Sequence, residues 1–329
     1  MQGFKNMKNI LIVGGAGYIG SHTVKHLMQQ GYTCIVADNL VYGHRQAVQS
    51  PFFEFVDIQD AAAVQALFDR HTIDAVIHFA AYTYVGESVE NPRKYYQNNL
   101  VGTLNLLDAM LDHDVKKIVF SSSCATYGNP HYTPLDEAHP QAPINPYGQG
   151  KFMVETVFAD YARAYGLRYL ALRYFNAAGC SHDGDLGESH EPETHLIPLV
   201  LKAIKGEREC IKIFGTDYDT PDGTCQRDYI HVEDLALAHQ LALEKLESFS
   251  GSINLGTGVK TSVKEIISAA EKVTGKPCPV QLAPRRAGDP AVLYAAQGKA
   301  QQLLDWQPRY TSIEEIIRTA WLWECHKKF

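Results

Sequence analysis

Tyr147 and Lys151, in the run Pro146-Tyr-Gly-Gln-Gly-Lys151, are the residues whose types and spacing most plainly suggest chemistry. On a helix, residues four apart lie one turn above each other on the same face, so both can reach one bound molecule. A free phenol has a pKa of about 10 and is a poor base at neutral pH. A neighbouring ammonium favours the phenolate and lowers that value. Such a phenolate can take a proton from a hydroxyl while hydride leaves the carbon that bears it. The Tyr-x-x-x-Lys pattern also arises by chance on solvated helix faces, so context must decide. Phe120-Ser-Ser-Ser123 provides it, because these residues end an aliphatic, strand-like run. The Ser123 hydroxyl could bond a substrate or relay a proton there; the plain alternative is a turn serine bonded to its own backbone.

A hydride acceptor is implied by a second motif. Gly14-Gly-Ala-Gly17-Tyr18-Ile19-Gly20 directly follows the aliphatic run Ile10-Leu-Ile-Val13. Glycines 14, 17 and 20 permit a tight turn, close approach of backbone to a pyrophosphate, and close packing of the following helix, whose first N–H groups face the phosphate. Asp38 stands eighteen residues after Gly20, at the end of the second strand-like run. A carboxylate there accepts bonds from adenosine ribose hydroxyls and repels a 2′-phosphate, which favours NAD over NADP; Arg45 nearby weakens that preference. The bland alternative is a glycine turn followed by a solvated loop acid. A bound NAD⁺ ring would add its positive charge to that of Lys151 in lowering the Tyr147 pKa.

The elements that must position these residues follow from periodicity. Buried-strand signatures recur at 9–13, 33–37, 52–56, 75–79, 115–121 and 168–173, with helices at 18–30, 60–70, 92–113 and 147–165, the last stopped by Gly166. Short aliphatic strands alternating with helices predict an α/β fold, a doubly wound parallel sheet of Rossmann type. Beyond residue 180 the texture changes. Residues 180–195 read as a polar loop, 196–205 as a helix and 211–214 as a strand. Ser262-Val-Lys-Glu265 is a capping-box pattern opening a helix that should end by Gly275. The expected division is an NAD-binding domain over 7–180 and a smaller substrate lobe over 181–329, with some segments returning to the sheet. Residues 1–6 precede a second methionine, Met7, and are set aside.

Composition narrows the class. The chain has 329 residues, 45% of them hydrophobic, which is ample for a sizeable core. A formal charge of −7 argues against a nucleic-acid partner, although a few arginines can still bind a small diphosphate. No apolar run approaches membrane-spanning length, and no secretory signal is visible. The seven cysteines are scattered and never paired as Cys-x-x-Cys, as free thiols in a reducing cytoplasm would be. The fourteen histidines show no His-Glu-x-x-His spacing, so no metal is expected.

Taken together, the sequence resembles the extended short-chain dehydrogenase/reductase superfamily, and within it the UDP-glucose 4-epimerases. The residues carrying this likeness include 14–23 (GGAGYIGSHT), Asp38-Asn39-Leu40, His78-Phe79-Ala80-Ala81, Val85-Gly-Glu-Ser-Val89, Asn98-Asn99 and Tyr147-Gly-Gln-Gly-Lys151. Further matches are Arg173-Tyr174-Phe175-Asn176, Ile213-Phe214-Gly215, Arg227-Asp-Tyr-Ile-His-Val232 and Arg285-Arg286-Ala-Gly-Asp289. The resemblance implies NAD as cofactor, UDP-galactose and UDP-glucose as substrates, and a homodimer built on the helices at 92–113 and 147–165. It implies Tyr147 as base, Lys151 as its ribose-binding partner, and Ser123 as the hydroxyl on the sugar. The cofactor would also meet Gly14, Gly17, Tyr18, Ile19, Gly20, Asp38, Asn39, Ile58, Phe79, Ala80, Ala81, Asn98, Ser121 and Tyr174, with Asp57 at the adenine. Asn176, Leu196, Phe214, Arg227, Arg286 and Asp289 would hold the UDP. Two departures stand out: His195 replaces a family asparagine and would take over its contact to the diphosphate or sugar, and Thr83 replaces a family lysine that contacts the cofactor. The family position that limits space around the sugar's 2-substituent falls on Leu293, which leaves 4-epimerisation of an N-acetylhexosamine or a uronate open. A 4,6-dehydratase would need a carboxylate pair where this chain reads Ser123-Cys-Ala125. A non-catalytic NAD sensor would usually lack the tyrosine or the lysine.

Overall fold

The computed structural model describes residues 8–286 and 288–329; segment 1–6 and Ala287 of the 285–289 motif lie outside the described residues. β1 (Asn9–Val13), β2 (Thr33–Asp38), β3 (Phe52–Phe55), β4 (Ala75–His78), β5 (Lys117–Ser123) and β6 (Arg168–Tyr174) fall within two residues of the positions expected from sequence. β7 (Asn176–Ala178), β8 (Ile211–Phe214), β9 (Gln226–Arg227) and β10 (Tyr229–His231) are short strands outside the main sheet. β11 (Gly251–Leu255) comes back to pair with β6, and β12 (Thr261–Ser262), β13 (Val280–Ala283) and β14 (Val292–Leu293) complete small sheets with β9 and β8.

The central sheet is parallel throughout, in the order β3-β2-β1-β4-β5-β6-β11. Strand order reverses between β1 and β4, the place where such sheets open a ligand crevice at their carboxyl ends. Val13 pairs with Ala37 and His78, and His78 pairs with Phe120. The strand ends are therefore nearly level. The glycine loop, Phe79-Ala80 and the 121–123 serines all emerge along one edge.

The helices are α1 (Tyr18–Gln29), α2 (Ala61–Arg70), α3 (Val85–Glu90), α4 (Pro92–Tyr95), α5 (Gly102–Asp112), α6 (Pro146–Tyr165), α7 (Leu196–Lys205), α8 (Val232–Lys245), α9 (Val263–Thr274), α10 (Gly298–Leu304) and α11 (Ile313–Cys325). One face of the sheet buries Ile10, Ile12, Val36 and Leu170 against Val24 of α1 and Leu235 and Leu243 of α8. The other buries Leu11, Val13 and Phe120 against Leu67, Leu106, Val154 and Phe158. A third core, apart from the two faces of the sheet, joins Val200, Ile213, Ile266 and Ile317. Within the stretch 92–113, expected as one regular helix, the structure inserts a π-helical segment, Tyr96–Val101. A π-bulge adds a single residue to the turn, too small a change for apolar periodicity to register. No helix among the described residues is long and apolar enough to cross a membrane.

Candidate active site

Helix α6 begins where Asn145 caps it, its side-chain oxygen accepting from the Gly148 N–H at 2.8 Å, with Pro146 in the first turn. The helix lies so close to the turn after β5 that a Cβ on Gly148 would stand 2.4 Å from the Ala125 carbonyl oxygen. That proximity brings Tyr147 to the Ser123 hydroxyl. It also turns Lys151 inward, where its Nζ donates to the Ser121 carbonyl at 2.6 Å and lies 5.9 Å from the Tyr147 ring centre. The Ser121 hydroxyl meets the Tyr174 hydroxyl. Tyr147, Lys151, Ser121, Ser123 and Tyr174 thus form one cluster at the carboxyl ends of β5 and β6.

The electrostatics of the pair are dominated by burial. Burial pushes the Tyr147 phenol up to about 12, against a downward pull from the Ser123 hydroxyl. Burial pulls the Lys151 amine down to about 7, against an upward pull from Glu155. The expected lowering of the phenol pKa rests on the Lys151 ammonium together with the positive ring of bound NAD⁺. In the protein alone both groups favour their neutral forms, because water is excluded from each.

Behind this cluster lies a buried polar network that the sequence did not single out. Ser122 donates to Glu155, which also accepts from Arg173 Nε at 3.0 Å. Arg173 Nη1 donates to the Tyr127 hydroxyl at 2.9 Å, which in turn donates to Asn254 Oδ1 at 2.6 Å. Glu155 and Arg173 are each 6% exposed, so removing either would leave an uncompensated buried charge. The one available signal was spacing, since Glu155 follows Lys151 by one further helical turn.

The glycine loop fits a dinucleotide. A Cβ on Gly14, whose φ is +82°, would stand 2.4 Å from Ala80 N, and one on Gly20 would stand 2.3 Å from the Gly14 carbonyl oxygen. A Cβ on Gly17 would meet only the Gly14 oxygen, at 3.5 Å. The amino end of α1 has no side-chain cap and no acid in its first turn, which suits an anionic ligand at Gly17, Tyr18 and Ile19. Asp38 accepts from Ala16 N at 3.0 Å and Leu40 N at 2.8 Å, tying the second strand end to the loop. Arg45 lies over the Phe53 ring at 4.6 Å. Asn39 donates to Asp57 at 3.2 Å, and Ile58 packs where a Gly102 side chain would stand. Phe79 and Ala80 donate their backbone N–H groups to Val13, and the Phe79 ring lies 4.6 Å from His239, which adjoins Tyr174. Ala81 follows, likewise half-buried. Asn98, in the π segment, donates to Asn99 at 2.9 Å. Thr83 is exposed. Lys94, not singled out by sequence, places its ammonium 4.3 Å from the Tyr82 ring centre and 2.6 Å from Glu87.

β14 runs parallel to β9. Leu293 pairs with Arg227 and, like Cys124, the neighbour of Ser123, packs against the Tyr127, Leu135, Phe175 and Ala295 cluster. Arg227 Nη2 donates to Asp289 at 2.7 Å, so the Asp289 carboxylate is occupied in fixing the arginine. Arg286 stacks on the Phe214 ring at 3.9 Å. Asn176 donates to the Asp228 carbonyl at 3.2 Å, and with His195 and Leu196 it lines a small cavity beside Tyr229. His195 turns its Nδ1 toward Glu188 and Glu193.

A model of the NAD dependent epimerase/dehydratase family matches residues 10–256. The UDP-glucose 4-epimerase of Halalkalibacterium halodurans is 54% identical, over 97% of this chain and 96% of its own. The crystal structure of UDP-glucose 4-epimerase from Brucella ovis in complex with NAD is 52% identical with a TM-score of 0.93, covering 95% of this chain and 97% of that one. That of UDP-glucose 4-epimerase from Bifidobacterium longum in complex with NAD+ and UDP is 39% identical with a TM-score of 0.92, covering 97% and 99%.

Proposed function

We propose, from the premise that this chain belongs to the NAD dependent epimerase/dehydratase family, that it interconverts UDP-galactose and UDP-glucose by inverting C4. The observation that carries this reading is the Tyr147–Lys151–Ser123 cluster, set on the same sheet edge as the glycine loop. Bound NAD supplies the acceptor for the C4 hydride and the source of its return. Tyr147 removes the C4 hydroxyl proton, directly or through Ser123, and gives it back to the oxygen of the 4-keto sugar. Lys151 binds the nicotinamide ribose. Arg227, held by Asp289, and Arg286, braced on Phe214, anchor the diphosphate while the sugar turns over. Nothing is gained or lost in the cycle, since one proton and one hydride leave and both return.

The residues 123–125 offer no carboxylate to expel water, which argues against the dehydratase reaction. The presence of both Tyr147 and Lys151 argues against a mere sensor. We assign the dinucleotide to 7–180 and most UDP contacts to 181–329. The free thiols suit a reducing cytoplasm. The direct test is incubation of purified protein with UDP-galactose and no added nicotinamide. UDP-glucose should form; its absence, with NAD present in the protein, would defeat the reading. UDP-N-acetylgalactosamine run in parallel reports on the space that Leu293 leaves at the 2-position.

A further inference from the structure

The loop between β7 and α7 gathers Glu188, His190, Glu193 and His195, each offering one ligand atom, with all four atoms within 4.8 Å of one another. His195 Nδ1 stands 2.5 Å from Glu188 Oε1 and 3.4 Å from Glu193 Oε1. His190 Nδ1 stands 3.3 Å from Glu188 Oε1 and 3.7 Å from Glu193 Oε2. Ligands about 2.0–2.2 Å from a tetrahedral ion are separated from each other by roughly 3.3–3.6 Å. With Glu193 Oε2 as that residue's ligand atom, the two His190 separations, 3.3 and 3.7 Å, lie at or close to that spacing, and the His195–Glu188 contact at 2.5 Å would have to open.

A purely ionic cluster would aim each imidazole N–H at one oxygen. Here His190 Nδ1 is shared between Glu188 Oε1 and Glu193 Oε2 at 3.3 and 3.7 Å, the three buried atoms make no well-directed hydrogen bond, and the one short contact is that of His195 Nδ1 with Glu188 Oε1 at 2.5 Å. Glu193 Oε1 by contrast accepts from the backbone N–H groups of Thr194 and His195, at 2.7 and 2.8 Å, which leaves Oε2 facing the cluster. The Glu188 and Glu193 side chains are 6% and 2% exposed. Carboxylates so buried are costly unless they are paired or joined by a cation.

We propose that Glu188, His190, Glu193 and His195 bind one zinc ion that fastens this loop. Two imidazoles select a borderline transition ion over magnesium or calcium, which prefer all-oxygen shells. Two carboxylates balance its charge. The site is closed by four protein ligands, as structural zinc sites are. It lies where the loop meets three other segments. The indole N–H of Trp323 in α11 donates to the Glu188 carbonyl at 2.8 Å, the Tyr84 hydroxyl donates to the Pro192 carbonyl at 2.7 Å, and the His190 ring lies 6.3 Å from that of Tyr18, the first residue of α1. Because α7 begins at Leu196, the ion would set the start of that helix.

The full-length protein is dialysed against a chelator and titrated with zinc chloride alone against a chromophoric competitor. Metal content and Tm are read before and after. The expected result is one zinc per chain and a Tm that rises with zinc. The double variant Glu188→Gln/His190→Asn should bind at least ~100-fold more weakly, with no Tm response. A wild-type protein that takes up no zinc overturns the proposal and leaves an ion-pair cluster. Unchanged stoichiometry in a folded variant also overturns it, by assigning the metal to the cysteines. If the double variant does not fold, His190→Asn alone makes the same comparison, with circular dichroism checking its fold.

Discussion

At the scale of single residues, the active-site pair is poised by desolvation as much as by charge. A phenol held up at about 12 is protonated at neutral pH until a cation is fixed beside it, so the base is armed only with its cofactor in place. Tyr147→Phe should lower turnover of UDP-galactose by about 10²–10⁴-fold while the protein keeps its NAD. Retained turnover would remove Tyr147 from the chemistry. Lys151 gives a second expectation, through linkage. Its folded pKa, about 7, lies below the ordinary 10.5, so the unfolded chain binds more protons between those values. Stability must then rise with pH across that window, and the cost of charging Lys151 is fully present below pH 7. The Tm of Lys151→Met should therefore gain most on wild type near pH 6, with the gap narrowing by pH 9. Parallel Tm–pH curves would show that the amine is not desolvated.

At the scale of elements, the site depends on how tightly α6 docks on the turn after β5. Gly148→Ala would drive a methyl into the Ala125 carbonyl, shifting the helix start that carries Tyr147. Turnover should fall at least about 10-fold, since small misplacements are amplified in the reaction rate, while NAD content changes less. Wild-type turnover in this variant would mean the close approach is unimportant. The elements that place Tyr147, Lys151 and Asp38 were legible because aliphatic runs, Asn-Pro and Gly punctuation, and a 3.6-residue period all write themselves locally. Other features were not. β11 and α8 went unread because a strand's membership in a sheet is settled by packing with β6 rather than by its own five residues. The Glu155–Arg173 pair joins helix to strand across the fold, so neither residue announces the other. The 188–195 quartet escaped a search for helical ligand spacing because it lies on a loop, where a Glu-x-His-x-x-Glu-x-His order can converge only through the backbone's path.

At the scale of the molecule, the outer faces of α3, α6 and the π segment remain partly apolar. Val85, Val89, Val101 and Met153 are exposed there, Val89 by 63%. We infer that this face pairs with a second copy of the chain, and light scattering should give twice the 36.6 kDa chain mass. A monomer at micromolar concentration would reject the pairing. The return of β11 to β6 has a further consequence for biogenesis. As the chain leaves the ribosome, the strand Arg168–Tyr174 is complete long before its outer neighbour at Gly251–Leu255 has been translated. During that interval a largely apolar edge has no backbone partner and is a template for wrong pairing. A chain cut after residue 180 would carry that open edge permanently, because the strand that covers it lies some seventy residues further on.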